Sequence, residues 1–149
     1  EALTYTEIHL RLRLATMDVP LTGFYYCPHR TGEGQDAPAP CVCRKPKPGL
    51  ILAAARELDL DLAASTFVGD ALRDGDAAHA AGTRFILVCT GQGMRSLELL
   101  KHAAEESDRP QRCYVERDLP HAAKQILKWD RLGYTGPPER DHPASDDAE

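Results

Sequence analysis

A chain of 149 residues allows one domain with one hydrophobic core. Its net charge of −5, from 18 Lys and Arg against 23 Asp and Glu, argues against nucleic acid or a bilayer as partner, since both favour basic surfaces. No apolar run approaches the roughly 20 residues that span a membrane, and nothing resembles a signal peptide, so a cytoplasmic monomer is expected.

Residues 3–17 read as a helix, with Thr4 and Glu7 spaced as a capping box and Leu3, Leu10, Leu14 and Met17 on one face. Leu21 to Tyr26 is apolar and rich in β-formers and reads as a strand. Past a Pro- and Gly-rich loop, Pro48 to Leu58 forms a helix with Leu50, Ala54 and Leu58 on one stripe. Ser65–Gly69 is a short buried strand ending at Asp70, and a helix from about Asp74 to Ala81 is closed by Gly82. Arg84–Cys89 contains a continuous apolar run of the kind buried on both sheet faces. Thr90-Gly91-Gln92-Gly93 is a strand-to-helix turn; it lacks the third glycine of a dinucleotide fingerprint. A helix over Met94–Glu105, a strand over Cys113–Val115 and a helix capped by Asp118 and running to about Trp129 follow. This alternation predicts an α/β, Rossmann-like parallel sheet with flanking helices over residues 1–130, and the proline-rich, acidic residues 131–149 read as a disordered tail.

The loop carries the first chemical signal. Cys27, His29, Cys41 and Cys43 stand in the order C-x-H, eleven residues, C-x-C, soft and borderline ligands suited to a closed tetrahedral zinc site. The loop has no apolar periodicity with which to bury itself, so a metal can replace a core there. Disulfides or free thiols are the alternative, but they leave His29 without a role and the fifth cysteine without a partner. Cys89 and Cys113 read as ordinary strand residues. Paired thiols placed as ligands favour a reducing compartment.

The second signal follows the last ligand. Arg44 and Lys45 are adjacent cations, and Pro48-Gly49 opens a helix beside them, a pattern that fits an anion site for phosphate, with two solvated surface cations as the alternative. Further on, Phe67-Val68-Gly69-Asp70 ends an apolar strand in a carboxylate, with Asp74 one helical turn later. Open parallel sheets place ligand chemistry at such strand ends. Helix capping is the alternative role for Asp70 and Asp74.

Taken together, CPH…C-x-CRKP-x-PG and VGD-x-x-x-D resemble the zinc-containing phosphatases of the haloacid dehalogenase superfamily, in particular the heptose 1,7-bisphosphate phosphatases, over residues 1 to 130. The histidinol-phosphate phosphatases carry a similar loop. The resemblance implies removal of the 7-phosphate from a phosphorylated sugar, D-glycero-D-manno-heptose 1,7-bisphosphate, with Mg²⁺ and Zn²⁺ as cofactors. It implies that Lys45 stabilises the charged nucleophile, that Arg44 contacts substrate, and that Asp70 ligates Mg²⁺ with Asp74 in support. Cys27, His29, Cys41 and Cys43 become the zinc ligands.

Two departures stand out. The lysine that commonly follows VGD is Ala71 here, which removes a phosphate contact. No Asp-x-Asp nucleophile motif occurs near the start, and Asp59-x-Asp61 falls in a helix-to-strand connection. The expectation is therefore the larger carboxy-terminal part of an enzyme, with its N-terminal strands missing and no activity alone. Histidinol-phosphate hydrolysis is the second enzymatic reading, and a non-catalytic, zinc-stabilised binding module is the reading from another class.

Overall fold

A computed structural model describes residues 2–29, 41–106 and 113–134. The chain divides into two compact units, Glu1–Ala39 and Pro40–Glu149.

In the first unit, helix α1 spans Ala2–Ala15. It begins before Thr4, so Thr4 lies inside the helix and does not cap it. Glu7 instead pairs with Arg11 at 2.8 Å, one turn on. Leu10 and Met17, expected on a buried stripe, are exposed. The Leu21–Tyr26 segment is not a strand and joins no ladder. β-formers make a strand only when a neighbouring row of peptide groups pairs with them, and this segment has none among the described residues. Its Leu21 carbonyl accepts from the Arg11 guanidinium at 2.7 Å.

The second unit is a parallel sheet of three strands, β1 (Thr66–Gly69), β2 (Arg84–Val88) and β3 (Tyr114–Glu116), in the order β1-β2-β3. Thr66 pairs with Arg84 at one end and Gly69 with Leu87 at the other; Ile86 and Val88 pair with Tyr114 and Glu116. Helices α2 (Gly49–Leu58), α3 (Leu72–Ala81), α4 (Gly93–Glu106) and α5 (Leu119–Arg131) make the connections.

Side chains of β2 alternate between faces, as the two-residue period requires. Phe85 and Leu87 pack with Ala78 of α3, Leu97 and Leu100 of α4, and Cys113. Ile86 and Val88 pack on the other face with Ala122 and Trp129 of α5. This two-sided burial is why Phe85–Val88 is unbroken hydrocarbon. Burial pushes the Cys113 thiol up to about 11, so it stays protonated and unreactive at neutral pH.

Asp118 caps α5, accepting from the His121 amide at 3.1 Å and pairing with the His121 ring at 2.5 Å. The His121 side chain, followed by the amide, holds its carboxyl down at about 2. The helix runs to Arg131, and Tyr134 closes over Trp129 with ring centroids 6.1 Å apart, so residues 131–134 belong to the folded unit. Residues 135–149, the rest of the expected tail, lie outside the described residues.

Trp129 holds the α5 face together. It is 5% exposed, meets Tyr114 at 4.4 Å between centroids, and carries the buried Arg84 guanidinium 5.1 Å from its ring. Arg84 donates onward to the carbonyls of Tyr134 and Ala64. Trp129→Ala is therefore expected to cost about 3–5 kcal/mol, through a cavity and the loss of Arg84's stacking partner. Urea denaturation measures it as a fall in midpoint at unchanged slope; an unaltered midpoint would show that the face closes without the indole.

Candidate active site and metal centre

The site in the second unit is built where β1 and β2 end. β1 delivers Asp70 to the carboxyl end of the sheet, and the chain turns at once into α3. Asp74, in the first turn of α3, folds back over that turn and is buried at 3% exposure. Its Oδ2 accepts from the Asp70 amide at 3.2 Å and the Ala71 amide at 3.0 Å, satisfying two N–H groups at the helix start. Its Oδ1 lies 2.5 Å from Lys45 Nζ. Both oxygens of Asp74 are thus engaged by protein groups, and its support of Asp70 runs through the backbone. The capping role weighed from sequence holds for Asp74.

Gly69 is required by this fold-back, because a Cβ there would stand 2.6 Å from the Cβ and Oδ2 of Asp74. The glycine of the Gly-Asp pair is a packing necessity.

Lys45 reaches the same place from the other side. The turn Cys41–Pro48 closes through a Gly49 amide to Val42 carbonyl bond of 3.1 Å. From it Lys45 passes 5.9 Å from the Phe67 ring centroid to Asp74, with its side chain 43% exposed. Lys45 and Asp70 therefore share the carboxyl end of β1, linked through Asp74. Arg44 is exposed on the same turn.

The turn between β2 and α4, which the sequence marks as a strand-to-helix turn, completes the arrangement. The Gln92 amide donates to Asp70 Oδ2 at 3.0 Å, and the buried Ser96 hydroxyl donates to the Asp70 carbonyl at 3.0 Å. Gly91 sits at φ +59°, and a Cβ there would collide with Asp70 Oδ2. Among the described residues, Oδ1 of Asp70 is left without a partner. A carboxylate oxygen presented beside an ammonium at a strand end suits Mg²⁺, which binds through one or two carboxylates plus phosphate and water.

The two Asp-x-Asp pairs of the sequence are placed otherwise. Asp61 caps the turn before β1, accepting from the Ala63 amide at 2.9 Å and the Ala64 amide at 3.2 Å. That is the opposite end of the strand from Asp70, about 13 Å away along four residues. The second pair, Asp74-Gly75-Asp76, lies within α3.

Of the expected zinc ligands, Cys27 and His29 lie in the first unit, and Cys41 and Cys43 in the turn that opens the second. Cys27 Sγ and His29 Nδ1 are 3.6 Å apart. Zn–S and Zn–N bonds of about 2.3 and 2.0 Å in a tetrahedron set ligand separations of roughly 3.5–3.8 Å, and the Cys27–His29 pair already stands at such a distance. No disulfide joins the described cysteines. Among the described residues, no helix is long and apolar enough to cross a membrane.

Comparison with known proteins agrees with this layout. The chain is 38% identical over 120 residues to the D-glycero-beta-D-manno-heptose-1,7-bisphosphate 7-phosphatase of Photorhabdus laumondii, covering 77% of this chain and 58% of that protein. It is 41% identical over 126 residues to the enzyme of the same name from Pseudomonas putida, covering 83% and 64%. The crystal structure of the D,D-heptose 1,7-bisphosphate phosphatase from B. bronchiseptica, complexed with magnesium and phosphate, is similar at a TM-score of 0.67 and 36% identity, covering 85% of this chain and 63% of that one. The chain thus spans about three fifths of the length of these relatives. The model of the HAD-hydrolase-like family matches residues 42–116, the stretch that runs from the Lys45 turn through Asp70 and Ser96 to the end of β3, and with half of its sequence so accounted for this chain belongs to that family.

Proposed function

We propose that this chain provides the metal-ligand, cation and zinc-loop part of a Mg²⁺-dependent sugar-phosphate phosphatase that removes the 7-phosphate of D-glycero-D-manno-heptose 1,7-bisphosphate. The observation that carries the reading is the connection Lys45–Asp74–Asp70 at the carboxyl end of β1, in a chain whose relatives bear that activity in their names. When bound, Mg²⁺ would screen the phosphate charge and polarise the phosphorus toward attack. Asp70 holds it through the oxygen left over by Gln92, and Lys45 neutralises the anionic charge that builds up on transfer. Arg44, exposed beside Lys45, steers the substrate's charged groups. Asp74 fixes both Lys45 and Asp70. Cys27, His29, Cys41 and Cys43 hold a structural zinc that orders the loop leading into Arg44 and Lys45. Within these 149 residues the Asp-x-Asp pairs lie away from this end of the sheet or inside α3, so the nucleophile is not one of them. The thiol ligands suit a reducing cytoplasm, and the acidic chain acts as a monomer.

The test is phosphate release by the product of the complete gene, with Mg²⁺, from heptose 1,7-bisphosphate and from histidinol phosphate. Preferential release from the 7-position supports the proposal. Preference for histidinol phosphate moves the assignment to that enzyme, and no Mg²⁺-dependent release from either sugar or amino-alcohol ester refutes it in favour of a binding module.

A further inference from the structure

Asp70 is gripped at three of its four polar atoms. Its amide donates to Asp74 at 3.2 Å, its carbonyl accepts from the Ser96 hydroxyl at 3.0 Å, and its Oδ2 accepts from the Gln92 amide at 3.0 Å. Only Oδ1 has no partner among the described residues. Two of the three grips come from one place, the turn from β2 into the first residues of α4. Ser96 is 5% exposed, and its own amide bonds to the Gln92 carbonyl at 3.0 Å, so the hydroxyl and the Gln92 amide move as one piece. The α4 start reaches across from β2 to the residue that follows β1.

We infer that Ser96 is a positioning residue for Asp70: with the Gln92 amide it fixes the rotation of the Asp70 carboxylate so that Oδ1, and not Oδ2, is presented to the divalent cation. The inference rests on the proposed metal role of Asp70. A buried hydroxyl spent on one backbone carbonyl, beside an amide spent on the same residue's carboxylate, leaves the carboxylate one orientation. Groups that orient a metal ligand in this way commonly carry 10- to 100-fold of the metal's affinity. Gly91 belongs to the same device, since its positive φ and missing Cβ let the turn close on Oδ2.

The test is a Mn²⁺ titration of the full-length protein in the presence of inorganic phosphate, read as free Mn²⁺ by electron paramagnetic resonance. Ser96→Ala is expected to weaken Mn²⁺ binding about 10-fold or more at an intact near-ultraviolet circular dichroism spectrum. Ser96→Thr, which keeps the hydroxyl, is expected to restore it. Should Ser96→Ala fail to fold, Gly91→Ala, at an exposed turn, tests the same device by displacing Oδ2 and is expected to weaken Mn²⁺ comparably. Wild-type affinity in a folded Ser96→Ala, or in Gly91→Ala, overturns the inference alone, provided Asp70→Asn loses the ion. Equal Mn²⁺ binding by wild type and Asp70→Asn overturns the metal role of Asp70 and the inference with it.

Discussion

Asp70→Asn, made in the complete gene product, is expected to lower Mg²⁺-dependent phosphate release on the order of 10²-fold or more while leaving the fold unchanged. Asparagine keeps the shape and one acceptor oxygen, so the bond from the Gln92 amide survives. What disappears is the negative charge that holds a divalent cation against a phosphate, a contribution of several kcal/mol to the transition state, and each 1.4 kcal/mol or so is tenfold in rate. The backbone grips of Asp74 and Ser96 on Asp70 do not involve its carboxylate and remain. Turnover measured over a Mg²⁺ series, beside thermal midpoints of both proteins, checks this. Undiminished turnover at low Mg²⁺ would remove Asp70 from the chemistry.

Stripping zinc is expected to have the largest effect on order. Metal analysis of the purified chain should give one zinc, lost in Cys41→Ser, and the stripped or substituted protein should be cut by protease between residues 27 and 43. Residues 27–43 hold three prolines and two glycines and no regular secondary structure among those described. Structural zinc in small sites contributes roughly 10 kcal/mol or more at neutral pH, far beyond any surface contact the loop can make. A chain that purifies without zinc, or whose Cys41→Ser variant retains it, would show that these four side chains do not hold the metal.

The parts of this protein legible in its sequence are those governed by local chemistry. The Phe85–Val88 run demanded hydrocarbon on both sides and found α3 and α4 on one and α5 on the other. Asp118 caps its helix as a carboxylate before a helix start should. The ligand spacing of the cysteine loop needs no fold to be read. What failed to show depends on partners distant in sequence. Leu21–Tyr26 has strand composition but joins no ladder. Arg84 looks like a charge at a strand's edge, yet it is buried and stacked on a tryptophan that α5 brings from far along the chain. Ser96 is an ordinary polar residue in a helix until the adjacency of β1 and β2 sets it beneath Asp70.

The double engagement of Asp74 ties together two stretches that lie far apart in the sequence. One oxygen answers to Lys45 and the other to the amides of residues 70 and 71, so no substitution at position 74 can be neutral for one stretch and harmful to the other. Lys45 has the same property in reverse, because removing its ammonium strands a buried charge whose relaxation is felt at Asp70. Positions 45, 70 and 74 should therefore behave epistatically: single replacements are each severe, a second replacement adds less than its own cost, and a lineage that altered this corner could do so only by changing at least two of the three together.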